Sequence, residues 1–298
     1  MKGVDIMTNE ILRVGTFFSG IGSPEKALER LKNEKVISDY KVEFFSEIDK
    51  DAIKSYCAIH GVSEKLNLGD ITKLKGKDLP YCDLWIGGFP CQDISCAGKM
   101  RGFTFESETR SSLGWEMIRL LKEVKKKPTY VIFENVASIT SKKFKDTLDL
   151  FKLDLTNMGY TLYDNVLNAV NFEIPQTRRR YFLIAILGKH EKFSFPVGYP
   201  TNIKFKDFLD KSVDEKYYYT DNTFQKDGNK YVLKNKKRKD INYVIDIEKL
   251  LNGGVCGIDT HSKFHQSQRL FSENGYAPTI TASNTADNAK VVVESEVC

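Results

Sequence analysis

Short apolar runs alternate with amphipathic stretches through the first two-thirds of the chain. Most apolar runs give way to a polar or glycine-bearing turn. Ile11 to Phe18 is apolar and ends at Ser19-Gly20-Ile21-Gly22. Ser23-Pro24-Glu25 then opens an amphipathic helix through Leu31, with Ser23 expected as its N-cap and Pro24 at the first helical position. A second strand, Val42 to Phe45, is followed by Ser46-Glu47-Ile48-Asp49 and by a helix from Asp51 to His60. Gly69-Asp70-Ile71-Thr72 forms a short loop before the strand Asp83 to Ile86, which turns at Gly87-Gly88-Phe89 and delivers Pro90-Cys91-Gln92. Next come an irregular stretch from 92 to 110, a helix over 111 to 126 and a strand over Tyr130 to Phe133. A helix over 142 to 158 and strands over Thr161 to Ala169 and Arg180 to Leu187 complete the alternation. Such a pattern predicts an α/β fold: a Rossmann-like, mostly parallel sheet with helices on both faces.

After Gly188 the character changes. Residues 189–298 are rich in Lys, Asn, Tyr and Asp, carry short β-like stretches, and offer a helical pattern only at Ile245 to Leu251. We therefore expect two domains, 1–188 and 189–298, the second a smaller, irregular, mixed or β domain. The chain's 298 residues suffice for cores in both, and 41% hydrophobic with 29% charged residues fits a soluble globular protein. A net charge of +5 permits a polyanionic partner without requiring one. The run Lys234-Asn235-Lys236-Lys237-Arg238-Lys239 reads equally as a solvated loop or as a phosphate contact. Six cysteines without a C-x-x-C pair read as reduced thiols. With no secretory segment and no apolar run long enough to span a bilayer, a cytoplasmic location and no membrane partner are expected.

Polar groups at strand ends carry the candidate chemistry, because the strand ends of open α/β sheets border the ligand crevice. Phe18-Ser19-Gly20-Ile21-Gly22 lies between a strand and a helix, where glycines allow a tight turn and close approach to a nucleotide-like ligand. Glu25 replaces the third glycine of a dinucleotide fingerprint, which argues against a nicotinamide dehydrogenase. Glu47 closes the second strand, where a carboxylate can accept from both ribose hydroxyls. A plain tight turn and a surface glutamate are the alternative. Cys91 is either a buried structural cysteine or a nucleophile, and its place after a proline at a strand exit favours the nucleophile. Cys82 and Cys96 lack that setting and read as packing residues. Glu134-Asn135-Val136 closes an apolar strand, where a buried carboxyl needs partners and could be held protonated. Arg178, Arg179 and Arg180 precede another strand, with Arg178 and Arg180 expected on one side. A surface anion patch is the alternative there. His261 and His265 have metal-like spacing without supporting carboxylates, so no metal is expected.

Taken in order, these elements resemble the C5-cytosine DNA methyltransferase family over roughly residues 11 to 188. Phe18-Ser19-Gly20-Ile21-Gly22 is similar to the family's first S-adenosylmethionine motif, Glu47 to its ribose carboxylate, and Asp70-Ile71 to its adenine contact. Gly88-Phe89-Pro90-Cys91-Gln92 resembles the catalytic loop, Glu134-Asn135-Val136 the family's Glu-Asn-Val, and Gln176-Thr177-Arg178-Arg179-Arg180 its Gln-x-Arg-x-Arg. The resemblance implies Cys91, Glu134, Arg178 and Arg180 as catalytic residues. It implies Phe18, Gly20, Gly22, Glu47, Ile48, Asp70, Ile71, Pro90 and Leu113 around S-adenosyl-L-methionine. It also implies a flipped cytosine in double-stranded DNA as substrate, with Ser95 and Arg178 as phosphate contacts and a mobile loop from Asp93 to Arg110.

One departure is visible. The segment from Arg269-Leu270-Phe271 to Ala282 looks like the late part of a recognition region, and nothing after Ala282 resembles the family's last two motifs. The expectation is therefore a DNA cytosine-5 methyltransferase of restriction-modification or phage type, with its activity alone left open between a self-sufficient enzyme, the larger half of a split enzyme completed by a second polypeptide, and a truncated, inactive product. A non-catalytic DNA-binding protein and a structured-RNA methylase are the other readings. The target DNA sequence has no signature in residues 189–298.

Overall fold

A computed structural model describes residues 11–90, 113–199 and 202–208, together with six short strands beyond them. The expectations for Cys91, Ser95, Cys96, Arg110, the Lys234–Lys239 run, His261, His265 and Ala282 lie outside the described residues.

The chain divides into two compact units, Met1–Leu167 with Arg180–Pro196, and Asn168–Arg179 with Val197–Cys298. The first unit is built on a six-stranded sheet from β1 (Ile11–Phe17), β2 (Asp39–Ser46), β3 (Leu84–Gly88), β4 (Tyr130–Val136), β5 (Tyr160–Asn168) and β6 (Arg179–Leu187), in the order β2-β1-β3-β4-β6-β5. β1 pairs in parallel with both β2 and β3, and β3 pairs in parallel with β4. β6 runs antiparallel to β4, so the last part of the sheet reverses direction. The chain goes from β1 outward to β2 and then returns to the other side of β1 at β3. That change of direction places a topological switch point between the ends of β1 and β3.

Alternation along the central strands sets the core. Trp85, Val131, Phe133, Tyr181, Leu183 and Ala185 pack on one face against Met117, Ile118, Leu120 and Leu121 of α3 (Gly114–Glu123) and Leu148, Phe151 and Leu155 of α4 (Lys145–Asn157). On the other face Leu12, Val14 and Leu84 pack with Ile37 and with Leu28 of α1 (Ser23–Asn33). Farther along that face Ile86, Tyr130, Ile132, Phe182 and Ile184 are only half-buried. Phe45 packs against Ile53 and Tyr56 of α2 (Lys50–His60). Among the described residues no helix is long and apolar enough to cross a membrane.

Local structure departs from the sequence expectation at four places. Gly22, in the left-handed region, is the N-cap of α1, and Ser23 is already helical and makes no capping bond. β4 runs through Val136, so Glu134 and Asn135 stand inside the sheet rather than beyond it. Their backbones continue the pairing with Phe182 and Tyr181. Arg178 falls outside β6, which begins at Arg179, and belongs to the second unit while Arg180 belongs to the first. Ile245–Asp246, expected to be helical, is β9 of a three-stranded sheet with β7 (Phe224–Asp227) and β8 (Lys230–Leu233). A second such sheet joins β10 (Val255–Gly257), β11 (Arg269–Ser272) and β12 (Lys290–Val292).

Candidate active site

The turn after β1 is bent tightly. Phe18, a non-glycine residue, adopts φ +54°, a conformation that functional turns hold against its cost. Gly20 follows at φ +54°, and a Cβ there would meet nothing within 4 Å, so the loop borders open space. The Gly20 N–H donates to Glu47 Oε2 at 2.9 Å. Glu47 Oε1 accepts the N–H groups of Ile48 and Asp49 at 2.8 and 2.9 Å. A carboxylate oxygen accepts more than one bond, so this carboxylate is held in place with acceptor capacity remaining for hydroxyls. Beside it Ile48 is 73% exposed, an apolar side chain presented to solvent at a sheet edge.

A third segment completes this part of the site. Asn67 ties it down: its Oδ1 accepts from the N–H groups of Glu47 and Gly69, and its Nδ2 donates to the Glu47 carbonyl at 3.1 Å. Ser46 Oγ donates to the Gly69 carbonyl at 2.6 Å. Asp70 Oδ1 accepts from the hydroxyl and the N–H of Thr72, and the hydroxyl bond first of all holds its carboxyl below the usual range. The Ile71 side chain is buried in the core on the α3 side, and its carbonyl accepts from Arg119 at 3.2 Å. The open Gly20, the held Glu47 carboxylate, the exposed Ile48 and the Asp70 carboxylate are groups that could hold a nucleoside-type ligand.

The ends of β3 and β4 form the other part. The parallel register sets Gly88 beside Glu134, and a Cβ on Gly88 would lie 3.1 Å from Glu134 Oε2. Glycine thus leaves room for the carboxyl over the end of β3. The antiparallel register pairs Glu134 with Phe182 and Val136 with Arg180, which puts Arg180 on the same face as Glu134 and diagonal to it. Arg180 Nε donates to Glu134 Oε1 at 2.9 Å, with both side chains largely shielded. Asn135, 2% exposed, faces the opposite way and donates from Nδ2 to the Phe89 carbonyl at 3.1 Å. That carbonyl immediately precedes Pro90, so Asn135 fixes the strand exit that leads to Cys91. Leu113 caps α3 and packs against the core, and Gly114 beside it sits against the Phe89 ring.

Sequence reading named Glu47, Glu134 and Arg180, and the fold brings the last two together. Arg178 is placed only within its own unit, its N–H donating to Asn168 Oδ1 at 3.0 Å. Asn67 and the bond from Asn135 were missed, because a single asparagine carries no signal of which distant backbone it will meet. Cys82 is buried, and burial pushes its thiol up to about 12, as suits a packing residue.

The glycine turn, the strand-end carboxylate and the Glu–Arg pair all lie at the strand ends around the switch point of a Rossmann-like sheet. The C-5 cytosine-specific DNA methylase family matches residues 12–295, and the chain belongs to that family. The chain is 34% identical to the orphan methyltransferase M.Rho11sI of Bacillus phage rho11s, over 92% of this chain and 58% of that protein. It is 40% identical to the type II methyltransferase M2.ScrFI of Lactococcus lactis subsp. cremoris over 64% of this chain and 53% of that protein. It therefore spans little more than half the length of these two relatives. Among solved structures, the S. pombe Dnmt2 methyltransferase superposes with a TM-score of 0.54 at 25% identity, over 70% of this chain and 62% of that one. A putative DNA modification methyltransferase of an E. coli prophage shares the fold, with a TM-score of 0.53 at 22% identity over 90% of this chain and 82% of its own.

Proposed function

We propose that this chain carries the catalytic machinery for methylating C5 of cytosine in double-stranded DNA, with S-adenosylmethionine as donor and Cys91 as a transient covalent nucleophile. The observation that carries the reading is the Glu134–Arg180 pair at 2.9 Å on the sheet edge where Pro90 leaves β3. Cytosine C5 is a poor nucleophile. The Cys91 thiolate forms an S–C6 bond, and the C5=C6 electron pair becomes available at C5 as charge spreads toward N3 and O2. Glu134, held by Arg180, gives its carboxyl proton to N3 and accepts from the exocyclic amine, which neutralises that charge, while Arg180 addresses O2. Gly20, Gly22, Glu47, Ile48 and Asp70 would hold S-adenosylmethionine, whose methyl carbon C5 attacks as the S–CH3 bond breaks and S-adenosylhomocysteine leaves. Loss of the C5 proton then restores the ring and expels Cys91. A stacked base cannot present these atoms, so the cytosine is flipped out.

Residues 1–188 supply donor binding and catalysis in this reading, and 189–298 read the target sequence, with Arg178 on a phosphate. The half-buried apolar face formed by Ile86, Tyr130, Ile132, Phe182 and Ile184 supports the further proposal that a second polypeptide packs on the catalytic unit.

The test is transfer of labelled methyl from S-adenosylmethionine to mixed-sequence DNA, by the chain alone and with candidate C-terminal partner chains, each beside the Cys91→Ala variant. Label that depends on Cys91 and on the added chain, together with a covalent complex on DNA containing 5-fluorocytosine, is the expected result. Label that persists in Cys91→Ala would sink the mechanism. Transfer by the chain alone would remove the need for a second polypeptide.

A further inference from the structure

Buried polar side chains are expensive, and where they gather is informative. Among the described residues the buried polar or charged side chains are Thr16, Ser19, Glu25, Ser46 and Asn135. Ser46 and Asn135 have their bonds at the candidate site, and Ser19 lies in the glycine turn. Glu25 and Thr16 have no part in the proposed chemistry.

Glu25 stands in the first turn of α1 with 0% exposure. Its Oε1 accepts two hydroxyls at 2.7 Å, from Thr16 on β1 and from Tyr56 on α2. Its Oε2 is buried with no hydrogen-bond partner among the described residues. A carboxyl that only filled space would be served better by an apolar side chain, since half of its capacity is unused at full desolvation cost.

What the carboxyl holds is the back of the glycine turn. Tyr56 stacks on Phe45 with ring centroids 4.1 Å apart, and its edge lies against Gly22, where a Cβ would come within 2.9 Å. One helical turn on, His60 Nε2 is 3.0 Å from the Ile21 carbonyl. The turn is therefore braced at Gly20 by Glu47 and at Ile21 and Gly22 by α2, and both braces belong to the β2–α2 segment. Glu25 locks α2 to β1 and α1, the two elements that the turn connects.

We propose that Thr16, Glu25 and Tyr56 form a buried positioning network that sets the shape of the Gly20–Gly22 turn and thereby the affinity for the adenosyl donor. This rests on the donor site proposed above. The three residues do not touch the donor. They fix the N–H groups and the open space at Gly20 before it arrives, which lowers the ordering cost of binding.

The experiment is calorimetric titration of the full chain with S-adenosylhomocysteine, alongside the thermal midpoint without ligand. The variants are Tyr56→Phe, Glu25→Gln and Glu25→Leu. Tyr56→Phe keeps the ring stack and the wall against Gly22, and removes only the hydroxyl bond. Its affinity is expected to fall about tenfold at a temperature where the variant is fully folded. Glu25→Gln, which keeps an acceptor for both hydroxyls, is expected between wild type and Glu25→Leu. Wild-type affinity in folded Tyr56→Phe overturns the network, as does a loss no larger than its unfolded fraction explains. A wild-type chain that binds no S-adenosylhomocysteine overturns the donor site itself, and this inference with it.

Discussion

Asn135 serves two backbones with one buried amide: Nδ2 donates to the Phe89 carbonyl and Oδ1 accepts from the Val136 N–H. Asn135→Ala strands that carbonyl at the exit toward Cys91. We expect a stability loss of about 1–3 kcal/mol in urea denaturation. A fall in single-turnover methyl transfer larger than in DNA affinity is expected alongside it. Glu134→Gln retains the shape and an acceptor oxygen but loses the charge that pairs with Arg180 and the proton that N3 takes up. Transfer is expected to drop about 100-fold or more, with the thermal midpoint little changed. A rate within a few-fold of wild type would remove Glu134 from the chemistry. Single residues were legible in the sequence where their type is unusual for their place, as with a thiol after proline or a carboxyl closing an apolar strand. Glu25 reads in the sequence as a helix-opening residue and a replaced glycine, because the hydroxyls that meet it come from positions 9 and 31 residues away.

Elements were legible by periodicity, and their ends less so. α1, α2 and α4 follow their apolar stripes, yet α1 starts from a left-handed Gly22 and not from a serine cap. A Cβ at Gly22 would stand 2.1 Å from His60 Nε2 in a conformation that L side chains rarely adopt. Gly22→Ala is accordingly expected to lower stability by about 1–3 kcal/mol, checked by thermal unfolding, and to abolish measurable S-adenosylhomocysteine binding. β4 reads as ending before Glu134 because polar residues resemble a turn, while the ladder to β6 in fact carries the strand through Val136. The direction of β6 could not be read at all: alternation is the same for a strand run either way. Only pairing reveals that Arg180 reaches Glu134 from near the start of its strand.

At the scale of the molecule, burial raises the acid groups of the core together. The Cys82 thiol, ordinarily near 9, is pushed up to about 12, and burial also raises Tyr56, Tyr160 and Tyr181 above the ordinary tyrosine value. The folded chain thus keeps protons that the unfolded chain releases. Their contribution to stability is whole below about pH 9 and declines as pH rises toward 12, by about 1.4 kcal/mol per pH unit for each group in its window. Urea denaturation at pH 8, 9.5 and 10.5 should show that decline, and Cys82→Ala should make it shallower. The sheet also has an unequal pair of edges. Every site group of the first unit leaves from one edge, whereas the turn between α3 and β4 at the other carries exposed Lys125 and Lys126 and no site group. A peptide tag inserted between those lysines is expected to be read by an antibody without loss of the proposed methyl transfer, a handle on the side that carries no site group.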